Sequence, residues 1–262
     1  MNKTTAAKKR AIVPDPRAST SRPLAPARVP QVLVGATFVT GVASRPQLPP
    51  PGAAEIAFAG RSNSGKSSAI NALANRTRLA YASRTPGRTQ QINLFALRSG
   101  AVVADLPGYG YAAVAKDVKA VWQHFLWEYV STRSTLVGLV MVIDARHGLK
   151  PLDLVVLDSF VPSGRPVLVL ATKSDKLNRA QQVAGAAAIR AALLARYPAH
   201  APSLVVVPFS ATRRMGLVEA DDVLASWLGL RNDAPGEPPP PPSRNDDTRL
   251  RGTKKRPRDQ GE

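Results

Sequence analysis

Short apolar runs recur along this chain, separated by loops of glycine, proline and polar residues. "AEIAFA" (54–59) is one such run, and a Gly-rich loop follows it directly. "QINLFAL" (91–97) and "AVVADL" (101–106) flank Ser99-Gly100, a turn signal that predicts a hairpin. "LVGLVMVID" (136–144), "PVLVLAT" (166–172) and "LVVVPFS" (204–210) are continuous apolar runs. Continuous runs suit central strands covered on both faces. Helical spacing occupies the intervals: Lys66 to about Asn75, then 117–133, 151–161, 178–197 and 216–229. Trp122, Phe125, Leu126 and Tyr129 follow the helical period and predict a core-facing stripe, with His124 on the solvated face. This alternation predicts an α/β fold: a mostly parallel sheet with one antiparallel hairpin edge and helices on both faces.

The ends differ in composition. Residues 1–30 are rich in Pro, Ala, Ser and Arg, and "RPQLPPPG" (45–52) reads as a stiff connector. "PGEPPPPPSR" opens a second tail that closes in "GTKKRPRDQGE". Five consecutive prolines favour an extended helix with no internal hydrogen bonds. The expected organisation is a basic disordered tail over 1–30, one folded domain over 31–230 and a Pro-rich basic tail over 231–262. No internal repeat is visible.

Charge narrows the partners. The 262 residues carry 36 Lys+Arg against 18 Asp+Glu, a net +18. Residues 1–30 hold seven bases and one acid, and residues 231–262 hold eight and six, so +10 resides in the middle. A field of this sign attracts polyanions, and an RNA or ribosome-like partner is the expectation. With no cysteine, disulfides, thiolate metal sites and cysteine nucleophiles are excluded, and three histidines argue against a histidine-built metal centre. No run reaches the roughly 18 apolar residues of a membrane span. "VLVGATFVTGVA" (32–43) lies too far from Met1 for a signal core, and its threonines and glycines weaken it further. The expected location is the cytoplasm.

"GRSNSGKS" (60–67) fits the phosphate cradle G-x-x-x-x-G-K-[ST] of a P-loop NTPase, in the required strand–loop–helix setting. Backbone N–H groups of Gly60, Arg61, Ser62, Asn63, Ser64 and Gly65 would surround phosphates at a helix N-terminus. Lys66 would reach the β- and γ-phosphates, and the Ser67 hydroxyl would hold Mg²⁺. "DLPG" (105–108) ends another strand: Asp105 can hold the metal through water, with Leu106 and Pro107 leading to Gly108, whose N–H can face the γ-phosphate. "TKSD" (172–175) ends a third. Asp175 can accept from guanine N1–H and the exocyclic amine, a donor pair that adenine lacks. Thr172 and Ser174 frame that aspartate, and the Lys173 stem can cover the base. "FSA" (Phe209, Ser210, Ala211) can offer a backbone N–H to guanine O6. Between the first two motifs lies "SRTPGRTQQIN" (83–93), with Thr89 as the natural switch threonine, completing Mg²⁺ and sensing the γ-phosphate among Gly87, Arg88, Gln90 and Gln91. Lys66, Thr89 and Gly108 are thus the catalytic candidates, and GTP and GDP the expected ligands.

The stretches "AGRSNSGKSSAINAL", "SRTPGRTQQINLF", "DLPGYGYA", "VIDARHGLKPLD" and "TKSDKL" resemble the bacterial EngB (YihA/YsxC) GTPases of the TRAFAC class, over about residues 50–230. The resemblance implies Mg²⁺-dependent GTP hydrolysis, help in maturing the large ribosomal subunit, and a link to normal division and septation. A precursor of that subunit and its rRNA become the expected partners of a monomeric switch. Ras-like enzymes place a water-orienting Gln after the glycine of D-x-x-G. This chain has Tyr109 there, so slow unassisted turnover is expected. Asn63 stands where related hydrophobic-substituted GTPases bind K⁺, which raises K⁺ activation beside a purely loop-shaping role. Two other classes compete: a metabolic P-loop enzyme such as a nucleotide kinase, and a basic RNA-binding module with a vestigial nucleotide site. "TKSD" argues against the first, and intact Lys66, Ser67, Thr89, Asp105 and Asp175 argue against the second.

Overall fold

A computed structural model of the chain describes residues 32–80, 91–110 and 116–230, with the backbone alone over 116–123. Among them run β1 (Thr37–Val42), β2 (Glu55–Gly60), α1 (Lys66–Leu73), β3 (Ile92–Ala96), β4 (Val102–Asp105), α2 (Lys116–Thr132), β5 (Leu136–Asp144), α3 (Pro151–Phe160), β6 (Val167–Thr172), α4 (Arg179–Arg196), β7 (Leu204–Pro208) and α5 (Leu217–Trp227). The seven strands form one sheet in the order β1-β3-β4-β2-β5-β6-β7. β3 pairs antiparallel with both of its neighbours, and every other pair is parallel.

Side chains alternate across the sheet and build two cores. Ile56 and Phe58 of β2 pack with Ile70 and Leu73 of α1 and Leu224 of α5. Ala57 and Ala59 face the opposite way, toward Phe125 and Tyr129 of α2, Leu157 of α3 and Leu193 of α4. β5 and β6 are buried on both faces, as their unbroken apolar sequences require. Phe125 and Tyr129 face the core as the stripe predicted and His124 is exposed, while the side chain of Trp122 lies outside the described residues.

β1 is the element that the sequence pattern missed. It is a sheet edge with a register shift between Phe38 and Thr40, and Phe38 and Val39 are exposed. Its half-solvated threonines and glycine weaken the apolar pattern by which the other strands were found. The antiparallel part of the sheet is therefore two pairs rather than one hairpin. Residues 45–47 of the predicted connector form a short 3-10 turn.

At the N-terminal end of β2 the buried Glu55 carboxylate gathers four donors. It accepts from Tyr129 Oη at 2.5 Å, Thr135 Oγ1 at 2.6 Å, and Arg133 Nε and Nη2 at 2.9 and 2.5 Å. This network ties α2 to the sheet and leaves the opposite, C-terminal ends of the parallel strands for the site. In open α/β sheets those ends are where ligands bind. Among the described residues no helix is long and apolar enough to cross a membrane.

Candidate functional site

Gly60 ends β2 with no room for a side chain. A Cβ there would stand 2.7 Å from both Ser64 Oγ and Val142 O. The chain then curls through Asn63 (φ 64°) and Gly65 (φ 98°) before entering α1. Ser64 N–H donates to Arg61 O at 3.0 Å, which closes the turn. The Thr172 hydroxyl donates to Ser64 O at 2.5 Å, and Lys173 Nζ donates to Asn63 O at 2.6 Å. The segment at the end of β6 therefore braces the phosphate loop directly. Ser64 Oγ is the one buried side-chain polar atom without a hydrogen-bond partner among the described residues.

Lys66 opens α1 and Asp105 closes β4. They form a buried ion pair, with side chains 10% and 5% exposed. Ser67, half-buried, stands next to Lys66 in the first turn of α1. Leu106 is buried, and its N–H donates to Phe58 O at 3.0 Å. Pro107 is half-buried, and Gly108 lies flat on the phosphate loop. A Cβ on Gly108 would be 3.2 Å from Ser62 Cα and 3.3 Å from Ser62 N. Tyr109 then forms an isolated parallel bridge with Arg61.

At the end of β6, Lys173 takes a left-handed conformation (φ 58°), which turns the chain so that Ser174 is buried and Asp175 half-exposed. Ser174 Oγ donates to Ala171 O at 2.7 Å, and Ser174 N–H donates to Phe209 O at 3.2 Å. Ser210 Oγ donates to Asp175 Oδ1 at 2.6 Å, and that bond is the main reason the Asp175 carboxyl sits below the usual carboxylate range. Phe209 and Ser210 are fully buried, and Ala211 is half-exposed behind them. The segments that follow β6 and β7 thus form one hydrogen-bonded unit with an ionised, half-exposed carboxylate.

Gln91 is exposed at the start of β3, with its amide over Gly41 of β1. Gly87, Arg88, Thr89 and Gln90 lie outside the described residues. The remaining predicted residues converge on one end of the sheet.

Several charged residues there escaped the sequence reading. A cleft of about 420 Å³ beside the phosphate loop is lined by Arg61, Asn63, Asp144, Arg146, Lys150 and Lys173, among others. Burial alone would raise Asp144, but hydrogen bonds from Arg146 and Lys173 outweigh it and hold the carboxyl far below the usual range. Arg146 reaches Asp144 through Nε at 2.9 Å and Nη2 at 2.7 Å, and Lys173 Nζ stands 3.0 Å from Asp144 Oδ2. A strand-terminal Asp after "LVGLVMVI", followed by bases, was the available signal. Asp153, buried in the first turn of α3, accepts from Tyr109 Oη at 2.7 Å and from Lys150 N–H at 2.9 Å. Burial, and then the charge of Asp153, push the Tyr109 phenol far above its ordinary range. The Tyr109 hydroxyl is therefore engaged on α3 as a neutral donor.

Ser67 follows Lys66 at the start of α1, and Lys66 pairs with Asp105, so a hydroxyl and a carboxylate of the hard-oxygen type that Mg²⁺ takes flank the same lysine in sequence and in space.

Comparisons with known proteins agree with this geometry. Residues 55–173 match the family described as 50S ribosome-binding GTPase. A "Probable GTP-binding protein EngB" of Aromatoleum aromaticum is 50% identical over 206 residues, which cover 78% of this chain and 94% of that protein. The protein of the same name from Laribacter hongkongensis is 52% identical over 195 residues, covering 74% of this chain and 85% of that protein. A crystal structure of a probable GTP-binding protein EngB superimposes with a TM-score of 0.55 at 21% identity, over 68% of this chain and 100% of that one, a likeness of fold.

Proposed function

The chain belongs to the EngB family of GTP-binding GTPases, and from that premise we propose that it is a Mg²⁺-dependent switch acting on a precursor of the large ribosomal subunit. The carrying observation is the convergence at one sheet end of the phosphate loop, the Lys66–Asp105 pair, Gly108 and the Asp175–Ser210 unit. Asp175 selects guanine by accepting from its two donors, with Lys173 covering the base and the segment Phe209, Ser210 and Ala211 meeting O6. The loop's backbone N–H groups that are not donated within the protein hold the phosphates, those of Ser62 and Ser64 being donated to Tyr109 O and Arg61 O.

Hydrolysis is attack of water on the γ-phosphorus, forming one P–O bond while the bond to the β-phosphate oxygen breaks and GDP leaves. Lys66 neutralises charge on the β- and γ-phosphates, and Gly108 N–H and Thr89 mark the γ-phosphate. Ser67 and Thr89 would hold Mg²⁺, with Asp105 reaching it through water, and the bound ion would supply neutralisation of phosphate charge. The Tyr109 hydroxyl is committed to Asp153 and does not take the place of a water-orienting glutamine. Turnover without a partner is therefore slow. Asn63 is exposed at the tip of the loop, and comparing rates in K⁺ and Na⁺ tests whether it assists a K⁺ ion or only shapes the loop.

The net charge of +18 supports an rRNA-rich partner. On this reading the protein is a cytoplasmic monomer whose loss disturbs division and septation through ribosome supply. The test is co-sedimentation with large-subunit precursor particles in GTP, GDP or no nucleotide. Tighter binding with GTP is expected, and equal binding in all three would end the switch reading.

A further inference from the structure

Three elements meet at Tyr109. Its N–H donates to Gly60 O at 3.4 Å, and its carbonyl accepts from Ser62 N–H at 2.9 Å. Its hydroxyl donates to Asp153 Oδ1 at 2.7 Å. The other Asp153 oxygen accepts from Lys150 N–H, so the carboxylate is held by the start of α3 itself. The residue before Tyr109 is Gly108, close enough to Ser62 that a Cβ would make a tight contact of 3.2 Å with its Cα. Tyr109 packs, partly buried, against the core on the α2–α3 side of the sheet, and lines a small pocket there with Leu106, Leu126, Val130, Leu152 and Val156.

We propose that Asp153 is a positioning residue for GTP: it holds Tyr109 to α3 and thereby fixes the Gly108 N–H over the phosphate loop. The inference rests on the GTPase reading and adds to it the role of a residue that touches neither nucleotide nor metal. A side chain of α3, 44 residues from its partner in sequence, then sets how well the γ-phosphate is met. GDP lacks that phosphate, so the clamp discriminates between the two nucleotides. It also gives a route by which movement of α3 alters the switch glycine, because one carboxylate serves both the helix cap and the tyrosine.

The experiment measures dissociation constants for GDP and for a non-hydrolysable GTP analogue, with Mg²⁺, in the full chain. Tyr109→Phe keeps the ring and deletes the hydroxyl, and Asp153→Ala deletes the acceptor. One lost hydrogen bond should weaken the GTP analogue about three- to tenfold while GDP affinity holds. Asp153→Asn, which can still accept from Lys150 N–H and donate to Tyr109 Oη, should restore most of the ratio. The double variant Tyr109→Phe/Asp153→Ala should be no worse than either single variant, since both remove the same bond. Equal loss of GDP and GTP analogue in both single variants would overturn the inference, leaving only a structural role. An unchanged ratio in Tyr109→Phe would overturn it as well. Failure of the parent protein to bind either nucleotide would instead overturn the GTPase reading on which it rests. Should Asp153→Ala not fold, Tyr109→Phe decides alone.

Discussion

Lys66 and Asp105 are each other's counter-ions in the interior of the site, with side chains 10% and 5% exposed. Lys66→Met keeps the aliphatic stem and removes the ammonium, so Asp105 becomes a buried carboxylate without its cation. Breaking a buried pair from one side costs about 3–5 kcal/mol. In a domain of this size each kcal/mol lowers the melting temperature by about 2–4 °C, so Lys66→Met should melt roughly 6–20 °C below the parent. Adding Asp105→Asn removes the stranded charge and leaves an incompletely bonded amide, whose cost is about 1–3 kcal/mol. The double variant should therefore regain much of the lost stability, yet bind GTP no better than Lys66→Met, since neither the ammonium nor the carboxylate is restored. Thermal denaturation followed by circular dichroism, on nucleotide-free protein at neutral pH, reads the first effect. Titration with a fluorescent, non-hydrolysable GTP analogue reads the second. A Lys66→Met protein that melts with the parent would refute the reasoning, because the stranded Asp105 would then carry no penalty. Recovery of nucleotide binding in the double variant would refute the roles given to both residues.

Three further outcomes follow from the same geometry. Glu55→Ala strands Arg133 and leaves the Tyr129 and Thr135 hydroxyls without their acceptor. Urea unfolding should show a loss of about 3–5 kcal/mol, the scale of a broken buried pair. Asp144 is held below its unfolded value, near 3.9, by Arg146 and Lys173, so its contribution is complete above about pH 4 and lost as pH falls further. Asp144→Asn should flatten the acid limb of stability against pH, and an unaltered limb would place the ion pairs outside the stability of the fold. A 31–230 chain without the tails, which carry +6 and +2, should bind GTP as the parent does but bind rRNA less tightly and with a shallower salt dependence. An unchanged slope would assign the RNA contacts to the folded domain.

The parts legible in sequence were those with local cause. Continuous apolar runs marked β5 and β6 because both their faces are covered, and the structure places them at Leu136–Asp144 and Val167–Thr172. The phosphate loop was legible because its backbone geometry demands glycines at fixed spacing. β1 was not, because an edge strand with exposed Phe38 and Val39 lacks the period of a buried face. The Tyr109–Asp153 bond and the Asp144–Lys173 pair were invisible for another reason. They join residues far apart in sequence that the parallel sheet brings to the same end, and neither partner alone signals the other. The absence of a glutamine after Gly108 was readable, but the place where the tyrosine sends its hydroxyl required the fold.

The central claim is that this sheet end reads guanine through Asp175, and one exchange of base tests it. Dissociation constants of GTP and xanthosine triphosphate should be measured for the parent and for Asp175→Asn, at neutral pH with Mg²⁺. The carboxylate accepts from guanine N1–H and the exocyclic amine, whereas an amide places a donor against one of them. The parent should prefer GTP strongly. Asp175→Asn should lose GTP and gain the xanthosine nucleotide, whose C2 oxygen accepts from the amide. A variant that binds GTP as tightly as the parent, with no gain for xanthosine triphosphate, would remove Asp175 from the base site and contradict the account.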